Sequence, residues 1–369
     1  MPHLLNSGYS GPSNEGLAAG KRHAVRLPLA LPRCCRAALG AVAAICTTQA
    51  CATPLDYLHS SGTKADAVLP LTWGVTIVAA AVIVIITLLV VGAVWHRPGI
   101  SDQPPGTTLQ LERPVAGLSW IWIGVGISTF VLLASVVWTM EVLAKVSFPA
   151  TKPPLTIEVT GKQWWWQINY LSDDPSRMFA TANEIHIPTG VPVKFVLIGG
   201  DVIHSFWVPA LSGKTDTIPG QTNETWLEAR NPGTYWGQCT EYCGLEHAHM
   251  SFLVVAQTPQ DFLAWWDHQL QSPAPNTNGQ VAAGMLDFNM HCGSCHAVRG
   301  TDAAGVLGPD LSHLATRQRI AAGVLPNDPV NLAHLISDPQ GVKPGILMQR
   351  PELSHNETAD ILAYLKTLN

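Results

Sequence analysis

Two cysteines four residues apart, Cys239 and Cys243, open the stretch CTEYCGLEHAHM at positions 239–250. His247 and Met250 follow in the same run, and His204 stands upstream in DVIHSFWVP at 201–209. Two thiolates at this spacing on one loop can bridge two metal ions. Two imidazoles can then terminate the pair, a thioether can complete one ion, and a backbone carbonyl between the cysteines can complete the other. Soft sulfur donors favour copper in such a set. A disulfide between the cysteines, a Cys₂His₂ zinc site and a single blue copper are the competing chemistries. Each of them leaves some of these donors without a role.

A second constellation lies near the C-terminus. Cys292-Gly293-Ser294-Cys295-His296 is C-x-x-C-H, the attachment pattern of c-type haem. Two thiols reach the two vinyl groups on one porphyrin edge, and the next residue turns beneath the ring to offer its imidazole to iron. A thioether on the opposite face would raise the potential. Met285 and Met290 lie on the segment that leads into the motif, where the geometry is poor for an axial ligand. Met348, after the loop VKPGIL at 342–347, is placed to cross the far face. His313, His334 and His355 match no ligand spacing and are read as surface or loop histidines.

These sites need elements to hold them. The chain has 369 residues and a net charge of −5, a balance that argues against a nucleic-acid binder. Residues 21–36 are basic, residues 37–45 are small and apolar, and Ala50-Cys51-Ala52 fits an A-x-A cleavage site, so residues 1–52 read as a secretory signal peptide. Residues 71–94 and 118–140 are free of charge, and as helices each would rise about 35 Å, enough to cross a bilayer. Tryptophans 73, 95, 120, 122 and 138 sit near the ends of these runs, where interfacial aromatics belong. A transmembrane hairpin follows, occupying 53–152 with helices at about 71–95 and 118–142. Loop charges do not decide its orientation, but the export signal places both ends outside.

From about Pro153 the periodicity changes to two. Leu155, Ile157 and Val159 alternate with polar residues, as do Val191, Val193, Phe195 and Leu197, which predicts strands of a β-sandwich or barrel over 153–272. Residues 273–280 read as a polar linker. Short helices between Gly/Pro loops then fill 281–369, closing with an amphipathic helix over 358–368.

The residues quoted above carry two resemblances. Residues 71–270 resemble cytochrome c oxidase subunit II, and residues 279–369 are similar to single-haem class I cytochromes c, the combination found in caa-type oxidases. The resemblance implies a multidomain membrane protein: a two-helix hairpin, an all-β cupredoxin-like Greek-key domain and an all-α cytochrome c domain. It puts the dinuclear copper centre, CuA, on His204, Cys239, Cys243, His247, Met250 and the carbonyl of Glu241. It puts covalent haem c on Cys292, Cys295, His296 and Met348, with Gly308-Pro309-Asp310-Leu311 packing over the proximal histidine. The Glu241 side chain would reach a Mg²⁺ site shared with subunit I. Trp164, in GKQWWW at 161–166, occupies the position thought to pass electrons, while Trp165 and Trp166 read as interfacial packing. His249 matches no ligand position. The acid that relatives carry at the start of the second membrane helix falls here on Ser119, so that role is not carried over.

The implied activity is electron entry into an oxidoreductase complex that translocates protons and reduces oxygen in another subunit. Electrons would run from a donor through haem c and CuA to the haem of subunit I. The implied partners are subunits I and III, cytochrome c or another periplasmic donor, and membrane lipid, at the bacterial inner membrane with both soluble domains on the outer face. An electron-input subunit of a CuA-bearing nitric oxide reductase and a free-standing membrane-anchored carrier are the alternatives.

Overall fold

The computed structural model describes residues 55–96, 115–273 and 279–369. The expected signal peptide, the loop between the apolar runs and most of the linker lie outside the described residues.

Two helices come first, α1 (Thr63–Trp95) and α2 (Val115–Ser147). Both expose large apolar side chains along their length, among them Leu88, Leu89, Phe130 and Val137. Each contains a stretch long and apolar enough to cross a membrane. Where they meet, Gly74 has no Cβ to collide with the Trp138 ring. Both helices outrun the charge-free segments, for a physical reason. The polar first turns of α1 are docked on the β-domain: Ala65 is buried, Lys64 Nζ donates to Thr225 Oγ1 at 2.9 Å, and Asp66 pairs with Arg230. At the end of α2, Trp226 Nε1 donates to the Val146 carbonyl at 3.0 Å.

Ten strands follow: β1 (Leu155–Lys162), β2 (Trp165–Leu171), β3 (Phe179–Ala182), β4 (Glu184–Pro188), β5 (Val193–Gly199), β6 (His204–Trp207), β7 (Thr215–Thr217), β8 (Thr222–Leu227), β9 (Gly233–Cys239) and β10 (Ser251–Gln257). They form two five-stranded sheets, β3-β2-β1-β5-β8 and β4-β10-β9-β6-β7. The pairs β1–β5 and β4–β10 are parallel, and the remaining pairs are antiparallel. In β1 the alternation seen in sequence becomes strict alternation of burial, because one face of the sheet meets the core and the other does not. The core between the sheets holds Ile157, Phe195, Phe206, Phe252 and Trp166. Trp166 is therefore a central core residue and not interfacial packing. Its ring meets His204, Phe206 and Phe252 edge-on. Trp165 lies beneath the Lys162 ammonium, 5.0 Å from the ring centroid. Helix α3 (Pro259–Gln269), capped by Thr258, packs Phe262 and Trp266 onto the same core.

The C-terminal region is built on a crossing of α4 (Gly279–His291) and α7 (His355–Leu365). A Cβ at Gly284 would overlap the Asp360 carbonyl, so only glycine lets the helices come this close. Phe288 and Tyr364 meet in the crossing, with centroids 5.5 Å apart. Ser354 and Glu357 form a capping box that starts α7. Between these helices lie α5 (Pro329–Ser337), α6 (Pro339–Val342) and a two-stranded ribbon, β11 (Arg319–Ile320) with β12 (Leu325–Pro326), a small addition to a region expected to be all helical. His313 departs from expectation: it is buried, with Nδ1 2.7 Å from the Asn369 carbonyl and Nε2 3.1 Å from that of Gln271.

Candidate metal and haem sites

Cys239 ends β9 and Met250 immediately precedes β10, so the antiparallel pairing of these strands closes the loop 240–249 on itself. Cys239 N donates to Met250 O at 2.9 Å across the neck. His204 opens β6, whose Phe206 pairs with Cys239. The result is a cluster of sulfur and nitrogen. Cys239 Sγ lies 3.8 Å from Cys243 Sγ, 4.0 Å from His204 Nδ1 and 3.3 Å from Glu241 O. Cys243 Sγ lies 3.5 Å from His247 Nδ1 and 3.8 Å from Met250 Sδ. His204, both cysteines and Met250 are buried.

The sulfurs are too far apart for a disulfide, which needs about 2.05 Å. Each cysteine faces its own histidine, an arrangement suited to a two-centre site. The donor set of two thiols, two imidazoles, one thioether and one carbonyl fits a pair of soft-to-borderline ions such as copper. Hydrogen bonding from Cys243 lowers the pKa of Cys239, and the same contact raises that of Cys243. One thiolate is thus favoured even before a metal adds its own charge.

The surroundings orient these donors. Asp201 Oδ1 accepts from His204 Nε2 at 2.8 Å, so Nδ1 is the nitrogen turned to the sulfurs. Asp201 Oδ2 also accepts from Gln163 N at 2.6 Å. A Cβ at Gly161 would stand 2.8 Å from His204 Cδ2, so the absence of a side chain makes room for the ring. Trp164 Nε1 and Gln163 Nε2 both donate to Cys243 O, at 3.0 and 2.7 Å. Gly244, at φ +114°, carries the loop past the Trp164 ring where a Cβ would crowd it at 3.0 Å. The Glu241 carboxylate is solvent-exposed and lies 3.4 Å from Lys214. His249 is outside the cluster, with its ring bonded to Glu246 at 2.7 Å.

In the C-terminal region, Cys292, Cys295 and His296 follow α4 in one tight turn, held by bonds from Cys295 N and His296 N to Cys292 O, both 3.0 Å. Both cysteines are free thiols. His296 Nδ1 donates to Pro309 O at 2.8 Å, which leaves Nε2 as the nitrogen available to iron. A Cβ at Gly308 would stand 2.5 Å from His296 Cε1, so the loop 308–311 lies directly on the imidazole. Burial lowers the His296 pKa and keeps the ring neutral, the form that ligates. Met348 is half-buried in the loop after α6, and Gln340 Nε2 fastens that loop by donating to Ile346 O and Met348 O at 2.9 Å each. Met285 and Met290 lie on α4, with Met290 well exposed.

Residues 169–257 match the family described as Cytochrome C oxidase subunit II, periplasmic domain, and residues 281–369 match Cytochrome c. Cytochrome c oxidase subunit 2 of Alkalihalophilus pseudofirmus is 40% identical over 214 residues, covering 58% of this chain and 60% of that one. The subunit 2 of Bacillus sp. strain PS3 is 33% identical over 258 residues, covering 65% of this chain and 71% of the relative. The chain belongs to the cytochrome c oxidase subunit 2 family. Among solved structures, the periplasmic domain of subunit II of cytochrome oxidase from Bradyrhizobium japonicum is similar at 34% identity, with a TM-score of 0.30, covering 33% of this chain and 96% of that one.

Within this subunit 2 architecture the two sheets are the cupredoxin-like domain and the C-terminal region is the cytochrome c domain. Sequence reasoning overlooked three of the residues that support the sites. Asp201 lies three positions before His204, a local signal that could have been read. Gly161 and Lys343 act across long stretches of chain, and spacing gives no hint of them.

Proposed function

We propose that this chain is the electron-entry subunit of a haem–copper terminal oxidase, taking electrons at its cytochrome c domain and passing them through its cupredoxin-like domain to a catalytic subunit that reduces oxygen to water. The observation that carries this reading is the convergence of six donors, from His204, Cys239, Glu241, Cys243, His247 and Met250, within 4.0 Å of one cysteine sulfur or the other. Copper bound there would supply a one-electron relay spread over two ions, and covalent haem c on Cys292, Cys295, His296 and Met348 would supply a second.

The chain's own residues keep the cost of each transfer low. His204 is fixed by Asp201, Cys239 and Met250 sit at the neck of a closed strand pair, and the loop carbonyl of Cys243 is held by Trp164 and Gln163, so the donors hold one geometry in both charge states. Burial excludes water, whose reorganisation would slow transfer. Trp164 joins the copper loop to the face of the β-domain that meets the cytochrome c domain, through its bonds to Cys243 O and from Lys343 Nζ. The haem domain is carried on the same chain, which replaces a diffusive encounter by an intramolecular one.

The two apolar helices would span the inner membrane with both soluble domains on the outer face. Their exposed apolar side chains would meet lipid and the neighbouring subunits I and III. The exposed Glu241 carboxylate would be placed for a Mg²⁺ shared with subunit I. A soluble cytochrome c or another periplasmic carrier would be the donor.

Metal and haem analysis of the purified complex tests the reading. Two coppers and one covalent haem are expected on this chain, with a mixed-valence copper resonance signal and oxygen uptake driven by reduced cytochrome c. A copper-replete preparation without that signal overturns it.

A further inference from the structure

Lys343 belongs to the cytochrome c domain, yet two of the three bonds of its side chain are made outside it. It lies just after α6 and is 2% exposed. Its Nζ donates to Trp164 O at 2.6 Å, to His249 O at 2.7 Å and to Ala321 O at 3.2 Å. Only the last of these carbonyls is in its own domain. The other two flank the sulfur cluster: the Trp164 ring is bonded to Cys243 O, and His249 directly precedes Met250. Three acceptors match the three N–H groups of an ammonium. Burial pulls the Lys343 pKa down to about 7 while Glu246 and Cys243 pull it up. Even the neutral amine would keep two N–H groups for these carbonyls.

The residues after Lys343 complete the cover. Gly345, at φ +85°, a conformation that favours glycine, lies over the Trp164 ring, where a Cβ would make ordinary contact at 3.5 Å from Cη2 and Cζ3 and 3.4 Å from Leu245 Cδ2. Ile346 packs against the β-domain core. Further bonds join the domains nearby: Ser251 N and Oγ both donate to Ala322 O, at 3.1 and 2.9 Å, and Gln318 N donates to Glu184 Oε2 at 2.9 Å. Trp164 is left 8% exposed.

We propose that Lys343 is the positioning residue that seals the cytochrome c domain over Trp164, so that an outside donor reaches the copper loop only by way of that domain. This rests on the function proposed above. A tether alone would raise the local concentration of the domain but leave it free to exchange places with competitors at the Trp164 face. A buried side chain that satisfies carbonyls on both sides fixes one docked pose. Without it those carbonyls would lose their donor in a water-poor interface. The step it governs is the movement of a single electron, with no bond made or broken.

The test uses the whole oxidase complex carrying wild type, Lys343→Met or Gly345→Val. Each is mixed rapidly with reduced soluble cytochrome c while the haem c and copper bands are followed. In wild type, copper reduction should follow haem c reduction, never precede it. In Lys343→Met both spectra and the haem potential should be unchanged, KM for the donor should hold, and kcat should fall. The delay between the two bands should lengthen about tenfold or more and grow with solvent viscosity. Amide exchange over residues 243–251 should rise. Gly345→Val, which puts a β-branched residue at φ +85° and so strains the loop off Trp164, should show the same signature and stands in if Lys343→Met does not assemble. A wild-type delay in assembled Lys343→Met, or copper reduced ahead of haem c in wild type, overturns the proposal. Wild type that binds no copper or no haem sinks the proposed function itself, and this inference with it.

Discussion

Asp201 holds His204 by its far nitrogen: the carboxylate oxygen and Nε2 are 2.8 Å apart, and the near nitrogen is thereby aimed at Cys239. Outer partners of this kind typically set metal affinity by roughly 10–100-fold. Asp201→Ala should lower copper affinity by about that factor while leaving the haem band intact. Titration with copper, read by the resonance signal, checks it; undiminished affinity would show that His204 needs no such support.

The two methionines should fail separately. Met250→Ala is expected to alter the copper spectrum and slow electron entry with the haem unchanged. Met348→Ala is expected to abolish the low-spin methionine-ligated haem band with the copper signal unchanged. Optical and resonance spectra of each variant decide, and a normal spectrum in either removes that residue from its site.

The crossing of α4 and α7 leaves no room at Gly284. Gly284→Ala should push the helices apart and destabilise the cytochrome c domain by about 1–3 kcal/mol or more, the usual range for overpacking. Thermal melting followed at the haem band measures it, and the copper signal should persist after the haem domain has melted.

His313 makes that domain sensitive to acid. Burial lowers its pKa below the ordinary 6.5, with the Asn369 carbonyl pulling up and nearby His268 adding to the lowering. The unfolded chain therefore takes up the proton first as pH falls. Stability contributed by the neutral ring is complete above about 6.5 and is lost as pH drops through the depressed value. Melting temperature should fall between about pH 7.5 and 5.5 in wild type and fall less in His313→Gln. Equal acid losses in the two would show that another group is responsible.

Much of this architecture could be read from the chain alone, where short-range pattern governs. The charge-free runs gave the helices, and the alternation at Leu155, Ile157 and Val159 gave β1. Strand β4 shows no alternation, because all five of its residues are buried. The polar turns at the start of α1 dock on Leu211, Thr225 and Arg230, partners far away in sequence that no local pattern announces. In the sites, sulfur and imidazole declare themselves by type and spacing. The residues that aim and enclose them do not: Gly161 serves by lacking a side chain, and Lys343 meets Trp164 across 179 positions. His313, expected as a surface or loop histidine, is buried against Asn369 and Gln271, contacts that no local pattern marks.

The attachment of α1 to the β-domain begins at Gly62, the residue before its first turn. Gly62 bridges to Ala229, Ala65 N bonds to Leu211 O, and Asp66 meets Arg230 before the apolar stretch begins. A helix so clamped behaves as a keyed shaft rather than a leash. Adding or deleting one residue just beyond Asp66 would turn everything downstream by about 100° and shift it by about 1.5 Å. Every side chain from Leu71 to Trp95 would then change its compass bearing relative to the two sheets. Length in that short segment thus sets which way each side chain of the membrane helix faces.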